Sequence, residues 1–497
     1  MSITRSGHPS LPAILLVLWG LLIPPFEGEI MVNGDGDPAR HVRHGETILA
    51  QGDVIRTDPF SFTRSGAPFV GFEYGTQVLL AVSHRVGGLP GMVVLTALLI
   101  AGTIAGLAAW LLRRRMDPLL VVLVTLAVAV LTNIHWLARP HVFSWPLTLG
   151  LLAMLEAPHR PRALAFGLLF AIWANLHGGF LYGWLLIAMY LCGHLFEAWC
   201  SRDRARRRLE YQRAGDLGRI LPLTIAATVL TPYGWRLPLH LVQFFRDPYL
   251  RDVTQEFLSP NFHGPNTLPF LAALLGTIAL LAWRPRPHWT HLAVILGNVG
   301  MALMSQRNIV LFALTAVPLM ALDFAPWWND TVGKSAFVGR FASNARTGVT
   351  IPYLGLTLAV LALLAVNHGR LAGHQVLADR FSTKRFPVEA VDRARSAGLR
   401  GRLFHEFVWG GYLLLAWPEQ KVFIDGGTDF YGGELLRAHR HVVNLQPGWR
   451  DSLDVWRIDL VLVRSDGAMA GELAGASKWR SWYTDSTATM FRRTVAP

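Results

Sequence analysis

"RTDPFSFTRSGAPFVGFEYGTQ", residues Arg56 to Gln77, lies between apolar runs at 11–29 and 89–111. It holds two acids and two arginines among aromatic rings and glycines, a composition too costly to leave in hydrocarbon. The chain must therefore leave the bilayer after the first run and return to it for the second. The whole composition agrees. Of 497 residues 52% are hydrophobic and 16% charged, with a mean hydropathy of +0.34, so long apolar runs rather than one soluble core account for most of the length.

Working outward from this stretch, about twenty apolar residues are needed per crossing. That rule gives about eleven candidate transmembrane helices, near 11–29, 89–111, 118–134, 141–156, 162–176, 180–199, 218–231, 267–283, 288–304, 308–324 and 350–367. The first run follows Arg5 and ends in "PPFEGE" without a small-residue cleavage site, so it is expected to stay as an anchor with the N-terminus cytoplasmic. In that phase one set of alternate loops is basic throughout: "RRR" (113–115), "PHRPR" (158–162), "SRDRARRRLEYQRAGDLGR" (201–219), "RPRPHW" (284–289) and Lys334–Arg346. Basic loops mark the cytoplasmic side. Membrane orientation thus accounts for the net charge of +13, and nucleic acid is excluded as a partner. Cys192 and Cys200 sit about two turns apart on one helix face, too far for a disulfide.

The other side receives the first outward loop (30–88), "HWLARPH" (135–141), "NLHGGF" (175–180), an outward loop at 231–266, "SQRN" (305–308) and all that follows about 368. These packets carry histidine, asparagine, tryptophan, tyrosine and glycine, so chemistry is expected to face outward. Residues 1–369 are read as a transmembrane domain and 370–497 as an extracytoplasmic α/β domain, because "VFID", "DLVLV" and "SWYTDSTATMFRR" are too short to span and alternate with helical patterns. "VFID" reads as a strand that places Asp425 and Asp429 at its C-terminal end, where open α/β sheets bind ligands. The alternative is that both acids hold a glycine-rich turn. In the first loop Pro38 to Leu49 has helical spacing with Asp37 as N-cap, Asp58 before Pro59 reads as a turn former, and Glu73 heads an amphipathic helix that returns to the membrane.

An acid at the start of the first outward loop, a re-entrant helix pair, further outward polar packets and an outer α/β region together resemble the C-type (GT-C) integral-membrane glycosyltransferases. That superfamily includes the protein mannosyltransferases and the aminoarabinose transferase of lipid A. "GDGDPARHVRHG", "DPFSFT", "RPH", "NLHGGF", "TPYGW", "RN" and "VFIDG" are also similar to packets of a group of bacterial GT-C-like membrane proteins. The resemblance implies a transferase of the bacterial inner membrane that passes a sugar from a polyprenyl-phosphate-linked donor to a glycan, lipid or protein acceptor on the outer side. It places Asp37 in the role of general base. The chain departs from the protein mannosyltransferases in having "DP" where they carry two adjacent acids, with Asp35 two residues earlier, which leaves the acceptor open.

The residues argue for the same chemistry independently. Displacing a sugar from a phosphate ester needs a base for the acceptor hydroxyl and cations for the leaving phosphate. Arg139 and Arg307 are outward candidates, since guanidinium forks match phosphate oxygens, though arginines at span ends also reach headgroups. Glu73, His141, Asn175, His177 and Tyr233 complete the substrate-binding candidates, with helix packing through Gly178 and Gly179 as the alternative for "NLHGGF". His135, His141, His177 and His263 with Asp37 or Glu73 are the groups that would hold Mg or Mn; none has ligand spacing within one helix, so no metal ligand is assigned. The aromatic loop from Tyr233 to Glu256 suits sugar faces or simply the membrane interface and its lipids. Three rivals remain: a polymerase or ligase of lipid-linked oligosaccharide, a transporter, and an envelope scaffold.

Overall fold

The computed structural model describes residues 10–158, 162–283, 288–335 and 351–494. Helix α1 (Leu11–Asn33) is started by the Ser10 hydroxyl, which accepts the Ala13 N–H at 3.3 Å. Helix α2 (Asp37–Gln51) follows and stops at Gly52, whose φ of 68° is the usual left-handed cap. Helix α3 (Tyr74–Arg113) runs for 40 residues and bends at Gly88, where φ 61° and ψ −150° are open essentially to glycine alone. The amphipathic helix after Glu73 and the span expected at 89–111 are therefore two halves of one kinked element.

The remaining long helices are α4 (Pro118–Thr132), α5 (Ser144–Leu155), α6 (Ala163–Leu176), α7 (Phe180–Cys200), α8 (Arg204–Ala227), α11 (Leu268–Trp283), α12 (Trp289–Met304), α13 (Ile309–Thr331) and α14 (Ile351–Val366), all apolar except α8, whose first half is basic. Two short helices, α9 (Arg236–Arg246) and α10 (Pro248–Val253), lie in the 231–266 loop. Among the described residues six helices are long and apolar enough to cross a membrane; α5, α6, α12 and α14 are apolar but shorter. The run expected at 218–231 is no separate span. It is the second half of α8, which begins at Arg204 because the Asp203 carboxylate accepts the Ala205 N–H at 2.9 Å. Cys192 and Cys200 are free thiols.

The loops sort to two ends of this bundle. At one end Glu156 meets Arg114 at 3.7 Å and His291 at 3.2 Å, and Asp117 accepts the Trp328 indole N–H at 3.2 Å. The loops with the histidine, asparagine and arginine packets gather at the other. Parts of the basic segments, 159–161, 284–287 and 336–350, lie outside the described residues.

Beyond α14 a short hairpin, β1 (Arg370–Leu371) and β2 (His374–Gln375), leads to four strands: β3 (Leu403–His405), β4 (Leu460–Arg464), β5 (Trp479–Thr484) and β6 (Ala488–Arg493). They form one mixed sheet in the order β3-β4-β6-β5, with β3 and β4 parallel and the other pairs antiparallel. Strand alternation sends Leu460 and Leu462 to one face and Val461 and Val463 to the other. The first face packs with Ile48, Ile55 and Phe60 of the first loop, the second with Tyr431, Leu435 and Leu250.

"VFID" is not a strand of this sheet. Val422 pairs with the first loop instead: its N–H donates to the Phe60 carbonyl at 3.1 Å, its carbonyl accepts the Phe62 N–H at 3.1 Å, and Thr63 Oγ1 donates to the Phe423 carbonyl at 2.6 Å. Asp58 organises that turn by accepting the Phe60 N–H at 2.9 Å and the Ser61 hydroxyl at 2.5 Å. The polar stretch that brings the chain back to the membrane is thus fastened to residues 422–424.

Candidate functional site

Helix α2 carries Asp37, Arg40, His41 and His44 at spacings of three and four residues, so all four share one face, and all are buried. Asp37 is not the N-cap. Gly36 holds that position and the Asp35 carboxylate accepts the Asp37 N–H at 2.9 Å, which leaves the Asp37 side chain free to turn inward from the first helical residue. There it pairs with Arg139 and, at 3.5 Å, with Arg40. The approach requires glycine at 426, since a Cβ there would collide with Asp37 Oδ1. Arg139 also meets Glu256 at 2.5 Å and Asp35 at 3.6 Å, so it is the centre of a carboxylate cluster rather than a headgroup anchor.

Glu73 precedes α3 without capping it. Its carboxylate lies 4.0 Å from Arg40, 3.7 Å from His41 Nδ1 and 3.7 Å from His177 Nε2. Burial pushes the Glu73 carboxyl up to about 7, against the pull of Arg40. Burial likewise takes His177 down to about 3, helped by Arg307. That shift favours the neutral ring, and the Gly179 N–H donating to Nδ1 at 3.0 Å selects the tautomer with its proton on Nε2, facing Glu73. Burial alone would raise Glu256, but Arg139 and Arg307 hold it below the usual carboxylate range.

These groups line one cavity of about 580 Å³. Of the expected site residues it brings together Asp37, Glu73, Arg139, His141, His177 and Arg307. Arg307 differs from Arg139: it stands 5.6 Å over the Phe257 ring and, among the described residues, no carboxylate lies within ion-pair distance. Asn175 and Tyr233 do not reach the cavity. Asn175 Nδ2 donates to the Ala171 and Leu230 carbonyls at 2.7 and 2.9 Å and its Oδ1 accepts the Tyr74 hydroxyl, so it ties three segments together. Tyr233 donates to the Ile55 carbonyl at 2.9 Å with its ring in the core.

Arg40 and His41 escaped the sequence reading although their spacing from Asp37 was the signal. Most of the opposite wall of the cavity also went unseen: Glu406, His439 and Arg440 come from beyond residue 400 and no local pattern links them to α2, while Asp429, a sequence candidate, stands with them. Asp425 is the turn former that was the alternative for it, its carboxylate accepting the Gly427 N–H at 2.7 Å and the Tyr431 hydroxyl at 2.9 Å. Asp429, by contrast, faces the cavity and meets His240 at 2.9 Å. Among the described residues no group of three His, Cys, Asp or Glu side chains is placed to hold a metal ion.

No protein-family model matches the sequence, and comparison with curated proteins finds no match. Solved structures do match. The archaeal oligosaccharyltransferase AglB from Archaeoglobus fulgidus, in complex with an inhibitory peptide and a dolichol-phosphate, aligns with a TM-score of 0.56 at 12% identity over 97% of this chain and 74% of that one. ArnT from Cupriavidus metallidurans in the apo state aligns with a TM-score of 0.50 at 14% identity over 96% and 97%. The same ArnT bound to undecaprenyl phosphate gives 0.49 at 15% identity over 96% and 97%. At these identities the likeness is one of fold: the chain shares the fold of AglB and ArnT.

Proposed function

We propose that this chain is a membrane glycosyltransferase that moves a sugar from a polyprenyl-phosphate-linked donor to an acceptor on the extracytoplasmic side of a bacterial inner membrane. In this reading about eleven helices span the bilayer, the N-terminus is cytoplasmic and residues 370–497 lie outside. The observation that carries it is the meeting, in one cavity, of the inward carboxylate of Asp37 and of Arg307, an arginine with no carboxylate within ion-pair distance among the described residues. That a protein of this fold is found in complex with a dolichol-phosphate supports the class of donor.

The step follows from these groups. Asp37 takes the proton of the acceptor hydroxyl as its oxygen bonds to the anomeric carbon. The bond from that carbon to the phosphate oxygen breaks, the phosphate keeps the electron pair, and Arg307 stabilises the charge that develops. One observation favours a second assignment of the base. Asp37 is tied to Arg139 and Arg40, which weakens it as a proton acceptor, whereas the Glu73 carboxyl at about 7 is matched to neutral pH.

The test uses full-length protein in nanodiscs with a panel of polyprenyl-phosphate monosaccharides and measures carrier binding and release of free polyprenyl phosphate on adding acceptors. Asp37→Asn is expected to keep carrier binding and to slow release by about 10²-fold or more. Near-normal release from Asp37→Asn together with its loss in Glu73→Gln moves the base to Glu73. Absence of carrier binding across the panel overturns the transferase reading itself.

A further inference from the structure

The far end of the molecule holds a charged surface that the transfer reaction does not use. Helix α7 runs from the cavity at Phe180 to Cys200, about 30 Å away by helical rise, and α8 begins there. The buried face of α8 is Glu210, Ala214, Leu217, Ile220, Thr224 and Ala227. The opposite face carries four arginines, Arg204, Arg207, Arg208 and Arg219, which line an open groove of about 540 Å³ together with Tyr211, Gln212, Gly215 and one acid, Asp216. One turn further along the same face Leu223 is exposed, so the stripe passes from arginines into apolar side chains that face outward. Tyr211, 51% exposed, stands among the arginines, and Trp199, 75% exposed, lies near the start of α8, where Glu197 meets Arg206.

Of the local acids only Asp216 lies in the groove, beside Arg219; the others are committed elsewhere. Glu197 holds Arg206 at 2.5 Å and the Trp289 N–H at 2.9 Å, Glu210 is buried against His194 at 2.6 Å and Arg213 at 3.1 Å, Asp203 caps the helix, and Asp216 faces Arg219 at 3.7 Å. Arg204, Arg207 and Arg208 have no carboxylate within ion-pair distance among the described residues. Nothing fills the space that a Cβ at Gly215 would enter, so the groove is open between Tyr211 and Arg219.

We propose that this face binds the headgroup of an anionic phospholipid, its phosphate against Arg204, Arg207 and Arg208 and its acyl chains along the surface that continues past Leu223. Guanidinium forks fit a phosphodiester, and the exposed apolar stripe selects a lipid over a soluble anion. The site is independent of the transfer reaction.

Native mass spectrometry of the full chain in detergent, titrated with phosphatidylglycerol or phosphatidylcholine, counts bound lipids one at a time. The expected result is one phosphatidylglycerol bound several-fold more tightly than phosphatidylcholine. The preference should fall about fivefold in Arg208→Gln, the equivalent of one surface charge, and vanish in the combined R204Q/R207Q/R208Q variant. Gly215→Phe closes the groove without changing charge and should also reduce it, at an unchanged thermal midpoint because the position is exposed. Equal affinity for the two lipids, or an unaltered preference in the triple variant, overturns the proposal. Displacement of the lipid by millimolar inorganic phosphate overturns it as well, in favour of a soluble anion.

Discussion

Burial raises the Glu73 carboxyl from 4.5 to about 7 because the 8% of the residue left exposed cannot solvate its charge and Arg40, at 4.0 Å, compensates only in part. A carboxyl raised on folding binds its proton more tightly in the folded state. Its contribution to stability is therefore fully present below about 4.5 and is lost as pH rises through about 7. Glu73→Gln keeps the neutral shape, so the variant should be more stable than the parent at pH 8, by up to roughly 3 kcal/mol from the shift to about 7, and its thermal midpoint should vary less between pH 4.5 and 7. A parent-like pH dependence in the variant contradicts this. The sequence made Glu73 and Asp37 visible as acids that lipid cannot accept, and histidine and arginine packets marked the rest of the membrane-side wall. Asn175 and Tyr233 misled for a physical reason. A polar group that joins backbone segments and one that lines a cavity have the same local sequence, and only the positions of Leu230 and Ile55 decide between them.

Helix α2 docks its N-terminus on the Gly410–Ala416 helix backbone to backbone. A Cβ at Gly411 would collide with the Gly36 carbonyl, and one at Gly36 would come within 2.5 Å of the Val408 carbonyl. The obstructing atoms are main chain and cannot rotate away. Gly411→Ala should therefore cost about 1–3 kcal/mol as an overpacked contact and should displace Asp37, so that transfer falls more steeply than stability. Activity that merely tracks the thermal midpoint contradicts the second part. Gly88→Ala meets strain instead of a clash: its φ of 61° and ψ of −150° should cost about 1–3 kcal/mol, and Gly88→Asn should not rescue it. Neither glycine announces itself, because a kink inside a continuous apolar helix leaves the hydrophobic pattern unbroken. The same limit explains the two misplaced elements. "VFID" has strand composition but its partner, Phe60–Phe62, is 360 residues away in sequence. The capping position moved from Asp37 to Gly36 because Asp35 does the work of satisfying the first N–H.

Period and charge along the chain announced the helical framework, and the alternation of basic and histidine-rich loops matches the two ends of the bundle. Composition also marked the change of character after about 370, yet it gave no hint of how that part is held. Its sheet faces are completed by other segments: Ile48, Ile55 and Phe60 cover one and Leu250 the other, while His240 and Asp247 grip Asp429 and Gly433 at 2.9 and 3.2 Å. Such a surface left bare would be a large apolar patch of the kind soluble domains avoid. The region from 370 on is thus bound to the membrane part by shared cores, whereas an extracytoplasmic domain on a linker would share none. The two arrangements separate in one experiment. The turn between β1 and β2 is exposed, with Gly373 at φ 83° and open space around it, so a protease site inserted there should be tolerated and cut. After cleavage the two pieces should stay together through detergent solubilisation and size-exclusion chromatography and keep carrier-dependent transfer, because the cavity takes Glu406, Asp429 and Arg440 from one piece and Asp37 and Arg307 from the other. Release of a soluble, folded 374–497 fragment would show instead that the shared cores contribute little, and that the wall they hold is dispensable for the fold of either part.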